Sequence, residues 1–168
     1  MSAPQDYFSL LGLPPVFDID PADLEKRYFS VQRAVHPDSV AGKSAHERTL
    51  AISRSMQVNA AYETLKSPLK RAQYLLELNG IKTDSVKPSQ MLLLEMMELR
   101  ERLAETQQIN EIEKLEAQNL QDRQNLITKI SQTFRGNRII LAGELAMHLS
   151  YLSKISEEIR VRKKSMTQ

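Results

Sequence analysis

The sequence predicts an all-α protein built in two successive parts, and three observations carry that expectation. Apolar residues recur at three- and four-residue spacing along most of the 168-residue chain, the period of a helix with one buried face. No run alternates β-branched residues between hairpin dipeptides, so strand signals are weak. All seven prolines lie at or before Pro88, and the last 80 residues contain none. Proline removes a backbone hydrogen bond and clashes with the preceding turn. The first part should therefore consist of short helices between breaks, and the second of long uninterrupted ones.

The first part reads as four helices. Asp6 to Leu11 forms a short one that stops near Gly12 and Pro14. Asp20 is a good N-cap and Pro21 suits the first helical position, where its missing N–H costs nothing. Leu24, Tyr28, Val31 and Val35 then share one face of a second helix, which must end before Pro37. Lys26 and Arg33 share another face, with Arg27 beside them. A third helix runs from about Ser44 to Lys66, with one apolar row at Ile52, Met56 and Ala60 and an adjacent row at Val58, Ala61 and Leu65. Ser67-Pro68 caps and opens a fourth, whose face is Leu69, Ala72 and Leu76 and whose end is Gly80.

Residues 80–88, framed by a helix-ending glycine and a proline, read as a linker between domains at 1–79 and 89–168. Ser89 caps a helix reaching about Glu105. Leu92, Met96, Leu99 and Leu103 make one complete core stripe, yet Met91, Leu93, Leu94 and Met97 are apolar as well. Burial on every side is improbable for a helix in an 80-residue bundle. Leu93, Leu94 and Met97 should therefore form a second face, bordered by Glu98, Arg100 and Glu101, which has the character of a partner site. Methionine suits such a site because it repacks easily. Packing within the protein, or a wide core stripe, would give the same pattern.

A long helix follows from about Gln107 to Phe134, its apolar side at Ile109, Ile112, Leu115, Leu120, Ile127, Ile130 and Phe134. Gly136-Asn137 makes a turn. The last helix, Arg138 to about Lys163, carries the stripe Leu141, Leu145, Leu149, Leu152, Ile155 and Ile159. Three helices with short connections give an antiparallel three-helix bundle. His148, next to that stripe, reads as a satisfied structural residue. Tyr151 lies off it, in a row with Ile140 and Met147, either as a lone exposed aromatic or as part of the partner face.

Composition narrows the function. Lysine and arginine total 23 against 21 aspartates and glutamates, a net charge of only +2. Nucleic-acid binders usually show a clustered basic excess, and the run Arg160 to Lys164 is ordinary complementarity to a helix C-terminus. There is no cysteine, so thiolate catalysis and thiolate metal sites are excluded for this chain. His36, His46 and His148 lack ligand spacing, so no metal is expected. No glycine-rich phosphate loop and no plausible triad is present, which argues against an enzyme with catalytic residues or a cofactor. No window is apolar enough for a membrane span, and no targeting segment opens the sequence. The expected compartment is the cytoplasm.

Between the second and third helices stands His36-Pro37-Asp38, after a helix with a basic face. About twenty residues later come Asn59-Ala60-Ala61-Tyr62-Glu63-Thr64-Leu65 and Ser67-Pro68-Leu69-Lys70-Arg71-Ala72, and the chain opens with Asp6-Tyr7-Phe8-Ser9-Leu10-Leu11-Gly12-Leu13. Residues 5 to about 78 thereby resemble a J-domain. The resemblance implies a four-helix fold that docks on a DnaK-type chaperone and stimulates its ATPase, with His36, Pro37 and Asp38 as the essential loop. Asp38 would pair with an arginine of the chaperone. Lys26, Arg27 and Arg33 would supply a basic surface that speeds encounter with an acidic partner. Ser30, Val35 and Ser39 depart from the common J-domain pattern and favour a specialised chaperone.

The stretches Leu69 to Gly80 and Leu94-Glu95-Met96-Met97-Glu98-Leu99-Arg100-Glu101 extend the resemblance over nearly the whole chain, to the HscB family of Jac-type co-chaperones. That resemblance implies a C-terminal bundle that binds the iron–sulfur scaffold IscU and delivers it to the chaperone HscA. The scaffold-binding positions would be Leu93, Leu94, Met97, Glu98, Arg100, Glu101 and Tyr151, which include the surplus apolar residues found from helical geometry.

Overall fold

A computed structural model describes residues 6–35, 42 and 44–167, with only the main chain of Asp84. Its helices are α1 (Tyr7–Leu10), α2 (Pro21–Val35), α3 (Ala45–Lys66), α4 (Pro68–Leu78), α5 (Gln90–Glu105), α6 (Ile109–Arg135) and α7 (Ile139–Met166), with a 3₁₀ turn at Thr83–Ser85. No strand occurs among the described residues. The all-α architecture is the one expected. The residues group into two compact units, 1–75 and 76–168, which divide within α4.

Local chemistry sets the helix ends. The Asp6 carboxylate accepts from the Ser9 amide at 3.0 Å and from its hydroxyl at 2.6 Å, fixing the start of α1. At the start of α3, Ser44 and Glu47 form a reciprocal capping box, satisfying two donors that the first turn leaves unpaired. Ser89 accepts from the Leu92 amide at 3.1 Å and opens α5. Gly12 has φ +65°, and the Leu13 amide returns to the Phe8 carbonyl at 2.8 Å. This is a left-handed helix stop that glycine adopts without strain. At the α6–α7 turn the left-handed residue is Asn137, φ 51°, rather than the neighbouring Gly136.

In the first unit, Phe8, Leu11, Phe17, Leu24, Val58, Ala61, Leu65 and Ala72 are buried. Tyr7 stacks on Tyr74 with ring centroids 4.6 Å apart, and Tyr28 stacks on Tyr62 at 4.2 Å. The two apolar rows expected on α3 fare differently. Val58, Ala61 and Leu65 enter the core, whereas Ile52 and Met56 are exposed. Both α1 and α2 pack on the same helix, and the side they cover includes Val58 rather than Met56.

In the second unit α6 and α7 form the principal antiparallel pair, and α5 packs on α7. The turn at Gly136 to Arg138 reverses the chain between α6 and α7. The α5–α7 pairs Glu95–His148 and Arg100–Glu158 ascend together, so these two helices run parallel, an up-down-up order. The core stripes differ in part from those read off the sequence. On α6 the buried residues are Ile112, Leu115, Asn119, Leu126, Ile130 and Thr133, while Ile109 and Leu120 are exposed. On α7 the first turns bury Ala142, Gly143 and Ala146 instead of Leu141. A β-carbon on Gly143 would sit 3.5 Å from Val86 Cγ2, so small residues there admit the segment preceding α5.

Candidate binding surfaces

Each unit carries one candidate surface. In the first, α2 brings the basic residues together. Lys26 and Arg33 are exposed, and Arg33 Nε donates to the Phe29 carbonyl at 3.3 Å, on its own helix. Arg27 is engaged internally. Its Nε donates to Asp23 at 2.7 Å and its Nη1 to the Gly12 carbonyl at 2.6 Å, which ties α2 to the end of α1. His36, Pro37 and Asp38 lie outside the described residues.

The two helices that flank that loop in sequence, α2 and α3, are joined by a polar seam. Gln32 Nε2 donates to Ser55 Oγ and to Asn59 Oδ1, each at 3.0 Å. The Tyr28 hydroxyl donates to the same Asn59 oxygen at 2.9 Å.

In the second unit, α5 is split along its length. Leu92, Met96 and Leu103 are buried, while Leu93, Leu94 and Met97 are 41%, 60% and 65% exposed and Met91 79%. Four large apolar side chains within about two turns of one helix face water beside exposed Glu98, Arg100 and Glu101. Tyr151 on α7 is half-buried, and Lys154 Nζ sits over its ring at 5.3 Å.

Two α5–α7 contacts escaped the sequence reading. Arg100 makes a forked ion pair with Glu158, with Nη2 to Oε1 at 2.9 Å, and the bonded carboxylate is the largest cause holding the guanidinium above its ordinary pKa. Glu158 lies seven residues beyond Tyr151 and so on the same side of α7, a spacing that could have found it. His148 Nε2 is buried 3.5 Å from Glu95 Oε1, outside hydrogen-bond geometry, so this histidine is not fully satisfied as expected.

Leu99 and Leu103 of α5, Asn119 of α6 and Leu152 and Ile155 of α7 line a cavity of about 30 Å³, room for a water or two but not for an organic ligand. Among the described residues no three acidic or histidine side chains converge as a metal site, and no helix is long and apolar enough to cross a membrane.

Known proteins share both halves of this arrangement. Residues 6–74 match the DnaJ domain, and residues 88–160 match the HSCB C-terminal oligomerisation domain. The co-chaperone protein HscB of Proteus mirabilis is 37% identical over 163 residues, 92% of this chain and 93% of that protein. The chain belongs to the HscB family. The mouse iron-sulfur cluster co-chaperone protein HscB is 38% identical across 95% of this chain and 69% of its own length.

Among solved HscB structures, the human co-chaperone matches with a TM-score of 0.90 at 32% identity, covering 97% of this chain and 84% of that one. The Vibrio cholerae chaperone HscB matches with a TM-score of 0.87 at 29% identity, over 96% and 99% of the two chains. As an HscB-family chain with a J-domain, the protein is a co-chaperone, the term that the Proteus mirabilis, mouse and human relatives carry in their names.

Proposed function

We propose that this chain is a two-site adaptor of iron–sulfur cluster assembly. Residues 1–79 form the J-domain, 80–88 the linker and 89–168 the scaffold-binding bundle. The J-domain binds the ATP-bound form of a specialised DnaK-type chaperone, HscA, through the His36-Pro37-Asp38 loop and the basic face of α2. Within that face Lys26 and Arg33 are the accessible cations, and Arg27 chiefly orders the helix. The bundle binds the scaffold IscU through Leu93, Leu94, Met97, Glu98, Arg100, Glu101 and Tyr151. Joining the two raises the effective concentration of scaffold at the chaperone's peptide groove, and hydrolysis then closes the chaperone on it. The protein itself holds neither nucleotide nor cluster, and the reading carries a cytoplasmic setting.

The observation that supports it best is the apolar side of α5 at Leu93, Leu94 and Met97, which stays exposed while Leu92, Met96 and Leu103 of the same helix are buried. The test is ATP turnover by HscA at a fixed concentration of this protein across a range of IscU concentrations. Strong synergy with IscU is the expected result. Stimulation indifferent to IscU would keep the J-domain and assign the bundle to another client. Asp38→Ala should abolish stimulation and leave scaffold affinity unchanged.

A further inference from the structure

Among the α5 residues assigned to the scaffold, Arg100 is the one cation, and it is already held. Arg100 Nε donates to both oxygens of Glu158, at 3.1 and 3.0 Å, and Nη2 donates to Oε1 at 2.9 Å. This side-on fork uses the Nε–H and one N–H of Nη2. Of the five donors on a guanidinium, the pair on Nη1 and the outer one on Nη2 remain. Both side chains stay accessible, at 42% and 40% exposed. Tyr151 is close enough to interact electrostatically with Arg100.

We infer that Glu158 is a positioning residue, which holds Arg100 so that the outer edge of its guanidinium meets a carboxylate on the scaffold's surface. The inference rests on the scaffold-binding reading above. A free arginine samples many rotamers and loses that freedom when bound. Here α7 fixes the side chain beforehand, so the loss occurs on folding rather than on association. The two parallel N–H groups on the Nη1–Nη2 edge match the two oxygens of a carboxylate, the acceptor for which a guanidinium has the best geometry. The site therefore asks for an acidic side chain on the partner, set beside the apolar contacts made by Leu93 and Met97, which lie seven and three residues before Arg100 on the same side of α5.

A bare staple between α5 and α7 would show the same distances, so the test must separate the roles. Scaffold affinity is measured by calorimetric titration of purified IscU into wild type, Arg100→Ala, Glu158→Ala, the double alanine variant and the charge swap Arg100→Glu/Glu158→Arg, with thermal melts in parallel. Each single alanine should weaken binding by about fivefold or more, and the double variant should bind no worse than Arg100→Ala alone. The swap rebuilds the ion pair and the melt, yet it puts a carboxylate where the cation stood, so its affinity should stay low. Wild-type affinity in Glu158→Ala, additive single effects, or recovery of affinity in the swap would each overturn the inference.

Arg100→Gln/Glu158→Gln keeps the net charge, so its affinity should fall less steeply with added NaCl than wild type. Equal slopes would remove the carboxylate as the acceptor. Leu93→Ala/Met97→Ala is the control. If that variant binds normally, the scaffold-binding reading falls and takes the inference with it. If it binds weakly while Glu158→Ala binds normally, only the inference falls.

Discussion

Arg71 makes two kinds of contact at once in a nearly dry site. Its Nη1 donates to the Leu65 carbonyl at 2.6 Å, and its guanidinium lies 4.9 Å from the centre of the Phe17 ring. Burial pulls its pKa down while Asp18 opposes that shift. Truncation leaves the end of α3 without this donor and Phe17 without its cover. We expect Arg71→Ala to destabilise the first unit by about 2 kcal/mol, the cost of breaking a buried charge-assisted hydrogen bond. Urea unfolding followed by tyrosine emission reports it, since four of the five tyrosines lie before residue 76. An unchanged midpoint would refute it.

Asp6 offers a pH test at the same scale. The hydroxyl of Ser9, and then its amide, hold the Asp6 carboxyl below its ordinary value. A lowered folded-state pKa contributes stability above the unfolded value of 3.8 and loses it as pH falls through the folded one. The gap in midpoint between wild type and Asp6→Ala should therefore be full at pH 7 and shrink in acid below about pH 4. The caps at Asp20, Ser67 and Ser89 were legible because they depend on neighbours in sequence. Arg27 was not, because its acceptor at Gly12 is fifteen residues away and a locked cation reads like a free one.

Along the elements, α5 presents the clearest contrast. Leu92 and Met96 pack inward while Leu93 and Met97, one position on, face water. Leu92→Ala should cost about 2–5 kcal/mol as a core truncation. Leu93→Ala plus Met97→Ala should change stability by no more than about 0.5 kcal/mol per site, yet weaken scaffold binding at least tenfold. Equal destabilisation by the two variants would refute the split. This face was legible because a helix with more apolar residues than its core accepts must expose some.

The α6 stripe was harder to read. Its true face runs through Ile112, Leu115, Asn119, Leu126, Ile130 and Thr133, a seam with polar residues in two of its slots. Asn119 is tolerated there because its Nδ2 donates to the Leu152 carbonyl at 3.1 Å. Hydrophobicity alone favours Leu120, which points about 100° away. On α7 the same bias passed over Ala142, Gly143 and Ala146, whose smallness serves a close approach that only the folded chain displays.

For the whole molecule, the proposed mechanism depends on both surfaces belonging to one chain. The two activities could in principle be carried by separate molecules, and mixing experiments distinguish the cases. Asp38→Ala keeps the α5 face and loses the loop, while Leu93→Ala/Met97→Ala keeps the loop and loses the face. If tethering matters, an equimolar mixture of the two should not restore the IscU-dependent part of HscA turnover, because neither molecule brings scaffold and stimulating loop together. Excess Asp38→Ala added to wild type should further suppress turnover, since it occupies scaffold without triggering hydrolysis. Restoration by the mixture would show that the two surfaces act independently, and the linkage of a J-domain to this bundle would then need another explanation. The outcome turns on connectivity alone, because every contact surface in the mixture is present at wild-type quality on one molecule or the other.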